Sequence, residues 1–308
     1  METFAGKKDK IRRENYTTIL LSATMTTVTH PIHMTKVLIQ VGFEPVDPVP
    51  FRTFFGKDMY KLPNFFTYSS LIFKRDGIFG LFRGVTPRIF SSVISCAINN
   101  SLLEKFHSFN EKNNANKPSQ PEMSFEDFAK ETCYQTVSRA TSTIITYPFQ
   151  VVSLRMIIQF VGRETRYHGT FHSLREIYKE EGFSGLFAGL VPQLIGDLLT
   201  LWFFRTLTFA VNKAVTSEIG DYKDLKVYTQ QASQIIVSSV TYPFTLVSNL
   251  MAVSNSSLYG CSEIPAFENW NQCWRILSQN NILWRGSSIF RRTSPSAIPG
   301  PLTLRKII

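Results

Sequence analysis

FTYSSLIFKRDGIFGLFRG, residues Phe66 to Gly84, aligns without a gap on FHSLREIYKEEGFSGLFAG, residues Phe171 to Gly189. Each copy opens on an aromatic residue, carries apolar residues at helical spacing (Leu71 and Ile72, or Leu174 and Ile177) and ends in G-x-x-G-L-F-x-G. A third copy, WNQCWRILSQNNILWRG from Trp270 to Gly286, keeps the run from aromatic to turn and is two residues shorter. Self-similarity at a fixed spacing decides the fold before any single segment does. Upstream of each copy lies an uncharged stretch interrupted by proline: T-H-P at Pro31, T-Y-P-F at Pro148 and T-Y-P-F at Pro243. The chain therefore reads as three units. Each has a Pro-kinked helix, a loop, a short amphipathic helix along an interface, and a turn built on Gly77 and Gly84, Gly182 and Gly189, or Gly286, with a second helix following.

Stretches free of Asp, Glu, Lys and Arg are the candidates for membrane spans, which need about 20 residues. They run from Asn15 to Thr35, Ile89 to Leu103, Ala140 to Leu154, Gly182 to Gly196 and Val227 to Ser262, predicting five long helices. Charged residues make up 18% of the 308-residue chain, below the roughly 25% of an average soluble domain, and aromatic residues 13%. The mean hydropathy of -0.03 is too low for a bundle facing hydrocarbon on all sides, so a membrane reading places polar groups at depth. Proline in a water-exposed helix costs about 3 kcal/mol, whereas in a bundle Ser and Thr hydroxyls can satisfy the freed carbonyl. Thr29, Thr146 and Thr241 stand two residues before the three prolines.

The net charge of +10 suits anionic lipid or nucleic acid, and the basic residues are spread along loops rather than gathered in a stripe; nucleic acid is not an expected partner. Cys96, Cys133, Cys261 and Cys273 have neither C-x-x-C nor zinc-ligand spacing, so no metal or disulfide framework is expected. The start, METFAGKKDKIRREN, has acids among its basic residues and resembles neither a secretory signal nor a cleaved presequence. No phosphate loop, triad or carboxylate pair signals an enzyme, and no cofactor is expected.

These repeats resemble the mitochondrial carrier family, whose units carry P-x-[D/E]-x-x-[K/R] at the first-helix kink and a glycine turn after the interfacial helix. The resemblance covers nearly the whole chain and departs at the chemistry. The family's acids and bases pair across the bundle and close the path on one side. Here the motifs are P-I-H-M-T-K, with His33 and Lys36, then P-F-Q-V-V-S, with Gln150 and Ser153, and P-F-T-L-V-S, with Thr245 and Ser248. One lysine cannot make a ring of ion pairs. The second family motif, [F/Y]-[D/E]-x-x-[K/R], is absent at Phe106-His107 and Phe209-Ala210. After Gly286 the longest uncharged stretch, Thr293 to Leu304, holds Pro295, Pro299 and Pro301, too short and too broken to cross a bilayer.

Loss of the sixth helix marks the mitochondrial carrier homologs, and KVLIQVGFEP from Lys36, GLVPQLIGDLLTLW from Gly189 and TYPFTLVSNLMAV from Thr241 are similar to that branch. The resemblance implies an all-α, carrier-like three-fold repeat bundle lacking its sixth transmembrane helix, with a groove open sideways to lipid. It implies a multi-pass protein of the outer mitochondrial membrane, in contact with membrane lipids. Its function would be insertion of tail-anchored and other α-helical client proteins; a docking receptor or scaffold and a divergent solute carrier are the alternatives. The expected division is a basic tail over 1–14, repeats over 15–110 and 125–216 separated by a polar linker at 111–124, a degenerate repeat over 217–286 and a non-spanning tail over 287–308.

A polar residue in such a helix rarely faces lipid, so polar side chains on every helix predict a shared wet lining. The candidates are Lys36 on the first helix, Asn99 and Asn100 on the second, and Gln135, Arg139 and Arg155 on the third. Gln193, Asp197 and Arg205 follow on the fourth, and Gln234 and Asn249 on the fifth. For Lys36, Arg155 and Asp197 two readings stand side by side: tuning the groove electrostatically, or pairing between helices to hold the bundle.

Overall fold

The computed structural model describes residues 4–54, 56–113, 125–219, 223–262, 264–294 and 304–305. The linker expected at 111–124 lies almost wholly outside the described residues, as do 295–303. Pro31 splits the first long helix: α1, Phe4–Val28, gives way at Thr29 to α2, His30–Gln40, with proline in the first turn of α2, where its missing N–H costs nothing. Two-residue strand β1, Phe43–Glu44, and the hairpin of β2, Val49–Arg52, and β3, Asp58–Lys61, follow. Then come α3, Phe65–Gly80, capped by Asn64 accepting from the Thr67 N–H at 3.1 Å, and α4, Val85–Asn113.

Repeat 2 consists of α5, Phe125–Ile158, α6, Thr170–Leu186, and α7, Leu190–Ile219; repeat 3 has α8, Lys223–Ser254, and α9, Trp270–Gln279. Unlike Pro31, Pro148 and Pro243 sit inside continuous helices. The threonines before the prolines do not reach the carbonyl that proline frees. Thr29 donates to the Met25 carbonyl at 2.8 Å, Thr146 to that of Ser142 at 2.8 Å and Thr241 to that of Val237 at 3.0 Å, each the carbonyl one turn back from itself. Such back-bonding bends a helix and so adds to the proline kink.

The long helices pack in the order α1, α4, α5, α7, α8, joined by hydroxyl and amide contacts. Ser22 meets Ser92 at 2.6 Å between α1 and α4, Ser138 donates to Asn99 at 2.9 Å between α5 and α4, and Thr200 donates to Thr241 at 2.7 Å between α7 and α8. Side-chain hydrogen bonds of this kind are the packing device of helices in lipid, where the hydrophobic effect supplies no helix-to-helix attraction. Two of the five expected helices have spans long and apolar enough to cross a membrane, Leu190–Asn212 and Tyr228–Ser254. The others miss by composition. Arg139 and Arg155 interrupt α5, Arg83 precedes α4 and Arg88 lies in its first turn, and α1 is rich in threonine.

The hydrophobic core lies at one end, where α2 and the last turns of α5 and α8 converge: Leu38, Ile39, Val151, Ile157, Leu246, Val247 and Val253 are buried there, sealed by Ile72, Ile177 and Leu277 of the short helices. Of the two pieces of the first long helix, α2 packs against α8, whereas α1 makes no substantial contact with it among the described residues.

Among the described residues no α-helix follows α9. The chain instead runs back over the loop after α2, where β4, Thr293–Ser294, pairs antiparallel with β3, and β5, Leu304–Arg305, pairs parallel with β1. Arg292 fixes this return. Its guanidinium forms an ion pair with Glu44, both side chains 8% exposed, and donates to the Pro63 carbonyl at 2.8 Å.

Candidate functional site

Each glycine turn is tied to two helices in the same way. The residue before each kink proline reaches the carbonyl preceding the turn glycine: His30 Nε2 lies 2.9 Å from the Arg83 carbonyl, and Tyr147 and Tyr242 donate to those of Ala188 and Arg285 at 2.8 and 2.6 Å. The following repeat's helix holds the turn from the other side. Ser153 donates to the Gly84 carbonyl at 2.8 Å and Ser248 to that of Gly189 at 2.9 Å. At the third turn Arg285 Nε donates to the Gln40 carbonyl at 2.9 Å, returning to the first helix. The ring is therefore closed at this end, among the described residues, without ion pairs between the long helices.

Above the ring lies a cavity of about 410 Å³. All five long helices line it: Thr26 of α1 and His33 of α2; Arg88, Ser91, Ser92 and Ser95 of α4; Arg139, Thr143, Thr146 and Gln150 of α5; Gln193 and Asp197 of α7; Asn249 of α8. Asp197 is the acid of this lining. It accepts from Thr143 at 2.9 Å and Gln193 at 3.2 Å and pairs with Arg139 at 3.5 Å, so its charge is spread over three donors.

Of the candidates named from sequence, Arg139, Gln193, Asp197 and Asn249 meet at this cavity. Asn249 also donates to Gln40 at 2.8 Å, and Gln40 to the Tyr242 hydroxyl at 3.0 Å, linking the cavity floor to the third turn. Lys36 lies to one side, its ammonium 4.9 Å from the centre of the Tyr242 ring. Arg155 is absent from the lining. It is fully buried, bound at both nitrogens to Glu181 of α6 at 2.5 and 2.8 Å and donating to the Ala252 carbonyl at 3.1 Å, which makes it the bolt joining α5, α6 and α8.

Gln135 and Arg205 share Glu131, at 3.0 and 3.1 Å, in a second cluster between α5 and α7. Asn99 is held by Ser138, Asn100 points its amide at Cys96, and Gln234 is exposed on α8. Sequence reading missed Arg88. Its charge bounds the uncharged stretch that begins at Ile89, which reads as a helix boundary and not as a lining residue; its position one turn beyond Gly84 is the signal that places it at the cavity. Among the described residues no cluster of His, Cys, Asp and Glu could hold a metal ion.

The family model for mitochondrial carrier protein matches residues 17–114 and 126–217, more than half of the chain. The chain is 40% identical over 283 residues to mitochondrial carrier homolog 2 of Homo sapiens, covering 90% of this chain and 93% of that protein. It is 36% identical over 297 residues to mitochondrial carrier homolog 1 of Mus musculus, covering 90% and 76%. The chain belongs to the mitochondrial carrier family. Membership gives this carrier-family protein a mitochondrial membrane location and relatives that are transporters rather than enzymes. Ser153 and Ser248 of this carrier-family protein occupy the motif positions where the resemblance implies bases, and each is spent on a turn glycine carbonyl.

Proposed function

We propose that this protein is an insertase of the outer mitochondrial membrane for α-helical, tail-anchored clients, using a polar groove open to lipid where a carrier would have its sixth helix. The observation that carries the reading is the cavity to which all five long helices contribute polar side chains, above an end that is tied shut. A polar flank crossing hydrocarbon costs about 3 kcal/mol per charged residue at the bilayer centre, and a wet lining lowers that cost. The lack of substantial packing between α1 and α8 among the described residues supports a lateral way in, with Leu20, Leu21, Met25, Ile235 and Ile236 exposed on the two helices and a polar row, Gln230, Gln234 and Ser238, on α8.

The carrier family favours a second reading, solute exchange. Against it stands the ring of hydrogen bonds, made by hydroxyls at two turns and by the Arg285 guanidinium at the third: an alternating path would have to break ties to backbone carbonyls in every cycle. Protein reconstituted in liposomes is expected to raise protease-protected insertion of a tail-anchored client, and Asp197→Arg, which puts a second cation beside Arg139, is expected to change the rate about tenfold, with thermal stability measured alongside. Binding of the client without protection would identify a docking receptor. Saturable metabolite exchange with no insertion would identify a carrier.

A further inference from the structure

We propose that the cavity receives the negatively charged end of the client, the free α-carboxylate and any acidic side chains beyond its transmembrane helix, and that Arg88 is the cation that meets it. The inference rests on the insertase reading. Asp197 already has Arg139, Thr143 and Gln193. Arg88 has no such match: its hydrogen bond goes to the Thr26 carbonyl at 3.4 Å, and among the described residues no carboxylate lies within ion-pairing distance. A half-buried guanidinium without a counter-charge is costly in a low-dielectric site, and an incoming anion offsets that cost.

Size decides which part of the client enters. A helix with its side chains is about 10–12 Å across, too bulky for a space of about 410 Å³, whereas the last few residues of an extended tail fit. Ser91 and Ser95 follow Arg88 by three and seven residues on α4, which puts them on the same helical face and adds hydroxyl donors for a carboxylate.

The test uses the full-length protein in vesicles of zwitterionic lipid, so that surface charge does not set the order, with one apolar client helix carrying three tails of equal length. One ends in two aspartates and a free carboxylate, one in two serines and an amide, one in two lysines and an amide. The acidic tail is expected to insert about tenfold faster than the lysine tail. Arg88→Gln is expected to remove the difference and Arg88→Glu to reverse it, each checked for unchanged thermal stability. Equal rates for the three tails in the unmodified protein would overturn the inference without any variant, and so would an order that Arg88→Glu leaves as it was; in either case insertion itself survives. Failure of every tail to insert above empty vesicles would overturn the insertase reading, and this inference with it.

Discussion

Gly189 sits where a side chain would collide with backbone. A methyl group there would come within 2.5 Å of the Ser248 carbonyl oxygen and 2.8 Å of the Tyr147 hydroxyl, and its φ of +86° disfavours any L residue. Gly182 of the same turn has φ +69° and open space around it, so only its backbone conformation demands glycine. Gly189→Ala should therefore cost about 3 kcal/mol and Gly182→Ala about 1–2 kcal/mol, read as thermal midpoints in detergent. Equal losses would mean that the tie between repeats adds nothing to the turn. The third copy, two residues shorter, has Asn281 at φ +54° where its turn begins, a residue that tolerates the left-handed region. The repeat was legible as letters. The roles of its glycines were not, because the string does not reveal which residue meets the neighbouring helix.

The five long helices and three short ones could be read from uncharged stretches and from the triplicated motif, because both signals come from residues adjacent in the chain. The partner of each polar residue could not. Arg155 reads from sequence as a groove residue or as a mate for Asp197, and it finds Glu181 instead, on the short helix α6. Repeat 3 buries two cysteines at the same end. Cys273 of α9 is fully enclosed, and burial pushes its thiol up to about 12, while Cys261, after α8, is pushed up to about 11. A raised thiol pKa leaves almost no thiolate at pH 8, so neither should react with maleimide in the folded protein, and both should react on denaturation. Rapid labelling of Cys273 under native conditions would show that α9 opens.

In the whole molecule, repeat 3 is joined to repeat 1 through Gln40, which meets Tyr242 and Asn249 of α8, through Arg285 at the third turn, and through the chain after it, where Arg292 grips Glu44 and β4 extends the β2–β3 hairpin. From sequence the last residues read only as a non-spanning tail, since two-residue strands have no periodicity to detect. Arg292→Ala should lower stability by about 3 kcal/mol by leaving Glu44 buried without its cation, and Glu44→Gln in the same chain should recover part of the loss. A double-mutant cycle on thermal stability measures the coupling; a value near zero would make the return segment incidental.

A latch made of charges weakens in salt and feels the voltage across its membrane. Serine and tyrosine hydroxyls resting on peptide oxygens feel neither to first order. The hydroxyl ties at the base of this bundle should accordingly keep the same strength in any ionic medium, like the floor of a cup rather than a revolving door, leaving the arginine ties and the rim as the parts that respond to what arrives.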